Sequence, residues 1–563
     1  MARATYRGVG ASPGLAAGAA RVVRADASRE GPRAATPDEA AARVHDALDA
    51  AARDLEQLAD RLRATGHGDE AEIVSVGALM AHDPALRSDA AALARDSRDP
   101  SAAVVEAADR YADAIGALGD PALSERAADV RQVGRRAAAH AAGARRGARR
   151  DGGTIVVADE LGPADVSGAG HGDVAGAVAV RGGPSSHAAI VARGLRVPLV
   201  LGIDAAVLAT ADGTPVVVDG DSGDVVIAPD DDESARAWAA MDAARRERAA
   251  LEAERGLPAV TLDGRSIELL ANVGTRAEVA AALDAGAAGV GLLRTELSFL
   301  DARAWPSEDE HLAALEPVLE LLAGAVATVR VLDFGGDKVP PFLPRLRERG
   351  ARGLPELLDA PDALGAQVRA ALRAGRRAAL RVLVPMVRDV DELRRARAIV
   401  DEAALSVGVE APPVGAMVEL PEAAEVAGEL ASAGDFVSIG SNDLTQSVLG
   451  IGRASLGSRP ALTAHPAVLA HVGRVVDAAR AHGVDVSVCG EAAADPLVLP
   501  LLVGLGITSL SVSPGRLDDA RAQVRRLSYE RCRALADDAA GMRSVDEAWA
   551  AVESALSADP SNS

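Results

Sequence analysis

Aromatic residues are scarce in this sequence: tryptophan, tyrosine and phenylalanine together fill 2% of 563 positions. Cysteine is almost missing, with Cys489 and Cys532 the only two. Two cysteines in so long a chain cannot build a disulfide framework, and the composition suits a reducing compartment. Zinc-site spacings such as HExxH or paired CxxC do not occur. Nor does the phosphate loop GxxxxGK followed by Ser or Thr, because Gly335-Gly336-Asp337-Lys338 lacks its spacing. No stretch of 18 residues is apolar without charges or clustered Gly and Pro. The longest candidate, around Leu497 to Val512, is broken by Pro500, Gly504 and Gly506, so no membrane insertion is expected. The opening MARATYRGVGASPG lacks the apolar core of a secretory leader, and a cytoplasmic location is expected. Lys and Arg number 60 against 82 Asp and Glu, a net charge of −22. That balance argues against broad nucleic-acid binding, which needs Lys/Arg clusters to meet phosphate.

What is present is ordinary for a globular chain: 49% hydrophobic and 25% charged residues, in a length that suggests three or four domains. Residues 1–25 read as turn and strand. Thr36-Pro37-Asp38-Glu39 then forms a capping box with Pro at the first helical position, ahead of Val44, Leu48, Leu55, Leu58 and Leu62 at helical spacing. Further helical patterns near 69–82, 101–118 and 121–142 make four helices, a bundle. After a linker at 144–153, short apolar runs at 154–160, 176–180, 197–203 and 214–220 predict a small α/β domain, with the bundle inserted into it. Residues 230–256 read as a charged helix with acids first and arginines later, which suits the helix dipole. From 259 onward strand and helix alternate. Strands are expected near 267–273, 289–294, 327–333, 380–386, 414–420, 435–440, 484–489 and 507–512, the arithmetic of a (β/α)8 barrel.

In such barrels chemistry sits at the C-terminal strand ends. The polar residues there are Asn272, Arg294, Glu296, Arg330, Asp333, Glu419, Asn442, Asp443, Cys489 and Glu491. Arg294, Arg330, Lys338 and Arg453 bring cations near these ends, suited to a phosphate or carboxylate. Glu419 and Asp443 end neighbouring strands, and such a pair of hard oxygen ligands suits Mg²⁺. Together they describe a pocket for a small phosphorylated acid. Cys489, beside Gly490 and Glu491, is placed as a proton donor. Outside the barrel, RGGPSSHAAIVARG (181–194) puts His187 at a helix start after a glycine turn. A neutral imidazole there can attack phosphorus, with the helix N-terminus receiving phosphoryl oxygens.

These motifs occur in one order: RGGPSSHAAIVARG, GVGLLRTELSF (289–299), RVLDFGGDK (330–338), VPMV (384–387), GAMVELP (415–421), DFVSIGSNDLTQ (435–446) and CGEAAADP (489–496). With GVGASPG near the N-terminus, PALSERAADVRQVGRR (121–136) and VVVDGDSGDVV (216–226), the chain resembles Enzyme I of the bacterial phosphoenolpyruvate:sugar phosphotransferase system. The resemblance implies a multidomain α/β protein. Residues 1–28 and 146–229 would form a swivelling phosphohistidine domain, 29–145 an inserted helical bundle that binds the carrier HPr, 230–257 a linker helix and hinge, and 258–563 a phosphoenolpyruvate-binding (β/α)8 barrel. It implies phosphorylation of His187 by phosphoenolpyruvate and transfer onward to a histidine of HPr. Glu419 and Asp443 match the Mg²⁺ ligands, and Cys489 the acid that protonates enolpyruvate. Arg294, Arg330, Lys338, Arg352, Asn442 and Arg453 match the substrate clamp. A homodimer through the barrel is implied as well.

The chain departs from the family pattern at named positions. Ser185 replaces a threonine. The threonine whose hydroxyl holds the histidine ring aligns with Val166, and Ser167 is the neighbouring hydroxyl. Pro355, Gly452 and Ser447 replace an arginine, an aspartate and a tyrosine, and GALM (77–80) lacks the family's histidine. An alternative reading is a diverged phosphoenolpyruvate-utilising paralogue with a regulatory role or another phosphoacceptor. A pyruvate phosphate dikinase or phosphoenolpyruvate synthase would need an ATP-grasp domain, and no segment of that size is spare.

Overall fold

Capping and apolar spacing set the first elements of the chain. The computed structural model describes residues 3–23, 32–64, 67–116, 121–143, 153–167, 174–184, 186–300, 302–335, 339–343, 346, 353–451 and 460–557. The chain divides into two compact units, Met1–Arg248 and Ala249–Ser563.

In the first unit, strands β1 (Ala4–Arg7), β2 (Val9–Ser12) and β3 (Leu15–Val23) precede the helices. Helices α1 (Pro37–Ala64), α2 (Gly68–Ala81), α3 (Pro84–Ser97), α4 (Pro100–Gly116) and α5 (Pro121–Ala141) follow. The capping box is as read: Glu39 N–H donates to Thr36 Oγ1 (3.2 Å), and the Glu39 carboxylate accepts from Ala35 N–H (2.9 Å).

The bundle has five described helices where the spacing predicted four. The missed one, α3, starts at Asp83, whose carboxylate accepts from Ala85 and Leu86 N–H, with Pro84 at the first position. Its buried face is Leu86, Ala90, Ala91 and Ala94, and alanine carries too little hydrophobicity for its period to stand out. Small residues also let helices come close. A Cβ on Gly134 of α5 would lie 2.3 Å from the Ala108 Cβ of α4.

The chain then returns to the sheet with β4 (Thr154–Ala158), the short helix α6 (Pro163–Val166), β5 (Val174–Ala179), helix α7 (His187–Gly194), β6 (Leu199–Leu201), β7 (Pro215–Asp219) and β8 (Asp224–Ile227). These make one eight-stranded sheet in the order β1-β8-β7-β3-β4-β5-β6-β2. Its centre, β3-β4-β5-β6, is parallel. Apolar clusters cover both faces: Val156, Ala177 and Leu199 with α7 on one, Ile155, Val157, Val178 and Val200 on the other. The five helices lie in the chain between the hydrogen-bonded neighbours β3 and β4.

Helix α8 (Asp231–Ala253) opens with Asp231, Asp232 and Glu233 and buries only Ala237. Glu233 is held by Arg3 in a two-point pair at 2.6 and 3.0 Å.

The second unit is a closed barrel of eight parallel strands: β9 (Glu268–Val273), β10 (Gly289–Leu293), β11 (Val326–Arg330), β12 (Ala379–Val384), β13 (Val414–Val418), β14 (Phe436–Gly440), β15 (Asp485–Cys489) and β16 (Ser509–Val512). β10, β13 and β14 are buried throughout, as parallel strands covered on both faces must be. Leu292, Leu383, Met417, Phe436 and Cys489 pack together as a separate small cluster. The fold is the expected multidomain α/β class, ending in a (β/α)8 barrel. No helix among the described residues is long and apolar enough to cross a membrane.

Candidate active site

Polar side chains converge where the barrel strands end. Arg330 closes β11 and is 7% exposed. Its guanidinium donates to Glu296 Oε1 at 2.7 Å and pairs with Asp333 at 3.0 Å. Glu296 is fully buried, just after β10. Burial alone would lower the Arg330 pKa, but Glu296, Asp333 and Glu419 outweigh it and raise the value, so the cation stays charged. Thr295 and Gln367 brace this pair. Thr295 Oγ1 donates to the Arg330 carbonyl (2.9 Å), and Gln367 bridges Thr295 Oγ1 and Leu332 N–H.

Glu419 follows β13 and is 1% exposed. Met386 N–H donates to its Oε1 at 2.7 Å. Met386 has φ of 55°, a left-handed conformation that costs a side-chain-bearing residue energy. Gly440 allows the carboxylate close, since a Cβ there would sit 2.7 Å from Glu419 Oε2. Burial, then the neighbouring carboxylates Asp443 and Asp333, raise the Glu419 pKa well above the usual range. Among the described residues no group of three or more His, Cys, Asp or Glu comes together as a metal cage. Two carboxylates nevertheless fit Mg²⁺, which takes one or two from the protein and completes its shell with substrate oxygens and water. The mutual repulsion that raises Glu419 is what a cation would relieve.

Cys489 ends β15, 3% exposed, with Sγ 3.5 Å from the Ile439 carbonyl and 3.6 Å from Ser438 Oγ. Burial pushes its thiol up to about 11, so it holds its proton at neutral pH. Ser441 Oγ donates to the Cys489 carbonyl (2.9 Å), and Glu491 N–H donates to Asn442 Oδ1 (3.3 Å). Gly490 at φ 116° lets these loops touch; a Cβ there would be 2.3 Å from Ser441 Oγ. Arg330, Glu419, Asp443 and Cys489 therefore share one region, for each acts electrostatically on the thiol. Arg294 directly follows β10. Lys338, Arg352 and Arg453 lie outside the described residues, as do Ser185 and Gly452.

His187 opens α7 in the first unit. Ser186 caps that helix, its Oγ accepting from Ala189 N–H. The His187 side chain is 17% exposed, and its Nδ1 lies 2.8 Å from Asp129 Oδ2 on α5. The Asp129 side chain is 6% exposed, with Arg126 at 4.0 Å. Val166 is buried, and the Ser167 hydroxyl donates to the Ala164 carbonyl rather than to the ring. A residue that holds the imidazole is Asp129, which the motif reading passed over although it lies within the quoted segment 121–136. The other contributors that sequence reasoning missed, Met386 N–H and Gln367, act through hydrogen bonds between segments distant in the chain.

The barrel mouth holds a buried guanidinium and buried carboxylates, a histidine opens a helix elsewhere in the chain, and comparison with known proteins places the chain in a class. Family models for PEP-utilising enzymes match along it: the N-terminal domain at 7–126, the mobile domain at 150–223 and the PEP-binding domain at 248–529. The chain belongs to the PEP-utilising enzymes, and within them to the phosphoenolpyruvate-protein phosphotransferase family. It is 38% identical over 568 residues to the phosphoenolpyruvate-protein phosphotransferase of Streptomyces coelicolor, covering 99% of this chain and 100% of that one. It is 34% identical to the protein of that name from Geobacillus stearothermophilus, covering 96% of each. It is also 38% identical to a multiphosphoryl transfer protein of Rhodobacter capsulatus over 87% of this chain, and spans 60% of that longer protein.

Proposed function

We propose that the chain takes the phosphoryl group of phosphoenolpyruvate onto His187 and passes it to a histidine of the carrier HPr. The observation that carries this reading is the barrel mouth: a buried, doubly paired guanidinium beside buried carboxylates and a protonated thiol. Phosphoryl transfer asks mainly for positioning and charge neutralisation. Arg330 and Arg294, joined by Lys338, Arg352 and Arg453, hold the phosphate and carboxylate, and Asn442 positions them. Glu419 and Asp443 would hold Mg²⁺, which when bound neutralises developing negative charge. His187 Nε2 attacks phosphorus, the P–O bond to enolpyruvate breaks, and Cys489 gives its proton to carbon 3 to yield pyruvate. Solvent reprotonates the thiolate.

By likeness to the family, 1–28 and 146–229 form the phosphohistidine domain, 29–145 the carrier-docking bundle, 230–257 the linker and 258–563 a dimerising barrel, in the cytoplasm. The test is labelling with radioactive phosphoenolpyruvate and Mg²⁺. Wild type takes an acid-labile label that chases onto added HPr, and His187→Ala takes none. Label persisting in His187→Ala, or absent from wild type, overturns the reading. Cys489→Ala slows pyruvate formation far more than it weakens substrate binding; the reverse pattern removes the proton-donor role.

A further inference from the structure

We infer that Asp129 is the positioning residue that selects the reactive nitrogen of His187 and stabilises the cation that forms on it, work that rests on His187 being the phosphoacceptor. An ionised carboxylate is acceptor-only, so the 2.8 Å contact from Asp129 Oδ2 pairs with an Nδ1 that carries the hydrogen. On the neutral ring the lone pair then resides on Nε2. The candidate that motif alignment offers for this task is silent: Val166 has no hydroxyl, and Ser167 spends its own on the Ala164 carbonyl. Asp129 comes instead from α5, across the contact between helices and sheet within the first unit.

The chemistry gives the carboxylate a second task. When Nε2 forms its bond to phosphorus and the enolpyruvate oxygen leaves, the proton on Nδ1 stays. The ring becomes an imidazolium bearing the phosphoryl group. Asp129 faces that new charge at hydrogen-bond distance. It thereby keeps the phosphoimidazole protonated, the form whose nitrogen leaves phosphorus readily. One buried carboxylate therefore favours both arrival and departure of the group.

The test compares wild type, Asp129→Asn and Ser167→Ala in the full chain. Selective ¹⁵N-histidine labelling, with His187→Ala to assign the signal, reads the tautomer directly. Wild type and Ser167→Ala show hydrogen on Nδ1; Asp129→Asn shifts population toward hydrogen on Nε2. Asp129→Asn lowers the labelling rate roughly 100-fold, with KM for phosphoenolpyruvate held, because the barrel is untouched. In a chase onto acceptor, the pH at which transfer from phosphohistidine falls away moves to lower pH in Asp129→Asn. Charged groups on the elements packed there include Arg126, Arg131 and Arg135 on α5, Glu70 on α2, Asp165 on α6 and Arg193 on α7 itself, and they are the same in both proteins. An unchanged tautomer and pH profile in Asp129→Asn, even with activity lost, overturns the proposal and leaves Asp129 a packing residue. If wild type takes no label, the functional reading fails, while the tautomer comparison still decides what Asp129 does.

Discussion

His187 and Arg330 are both shielded ionisable groups held by carboxylates, yet the two regions hold them differently. Arg330 sits between Glu296 and Asp333, with Thr295 and Gln367 bracing the same strand ends. All of these lie on or near β10 and β11 or the helix behind them. His187 has its carboxylate on a helix 58 residues away in sequence, and the ring keeps some exposure. The barrel mouth holds buried charges in a braced, mutually paired network. The histidine region is a single oriented group on a helix start, suited to a side chain whose charge and substituent change during turnover.

The largest test of this contrast is Arg330→Met. It removes the guanidinium that donates to the fully buried Glu296 carboxylate, and should destabilise the protein by about 3–5 kcal/mol. Urea unfolding followed by circular dichroism measures it, and a loss below about 1 kcal/mol would mean that the network is looser than its distances suggest.

An intermediate effect comes from His311, fully buried, with neither ring nitrogen hydrogen-bonded among the described residues and its ring edge-on to Phe299 at 4.8 Å. Burial pushes its pKa down to about 4, while an unfolded histidine sits near the ordinary 6.5. As pH falls from about 6.5 to about 4, the unfolded chain gains a proton that the folded one refuses. Stability therefore drops across that window, by on the order of 2–3 kcal/mol from this residue. His311→Phe should remove that portion of the acid sensitivity, seen by comparing unfolding midpoints at pH 7 and 4.5.

The smallest effect is expected from His187→Ala on stability. Asp129 keeps Arg126 nearby, and the unfolding free energy should fall by no more than about 1 kcal/mol, although labelling is abolished. A loss as large as that of Arg330→Met would erase the contrast between the two regions.

Much of the barrel was legible because its physics is local. Each strand is an apolar run bounded by turn residues, and strand-end polarity points to one face, so Arg330, Glu419 and Cys489 could be named from order alone. What was not legible depended on contacts between distant segments. Asp129 reads as one more polar position on an amphipathic helix until α7 packs near it. Met386 has no sequence mark of a left-handed backbone. Helix α3 was lost because its buried face is mostly alanine. Composition carried one further signal: Lys338 is the single lysine in a chain otherwise basic only through arginine. A compact ammonium and a planar guanidinium are not interchangeable, and the one place where lysine persists is within a motif for which the family resemblance implies a substrate role.

The scarcity of aromatic residues has an optical consequence. Trp305 lies 5.1 Å from Phe342 and 6.1 Å from Phe334, which directly follows Asp333 in the barrel mouth. Trp549 donates its indole N–H to the carbonyl of Ala461, eight positions beyond Arg453 in the chain. Trp238 stands 41% exposed on α8. With only three indoles, replacing any two by phenylalanine leaves one emitter at a known place. Changes around Trp305 and Trp549 in the second unit, and around Trp238 on α8, can then be followed separately by fluorescence without attaching a dye.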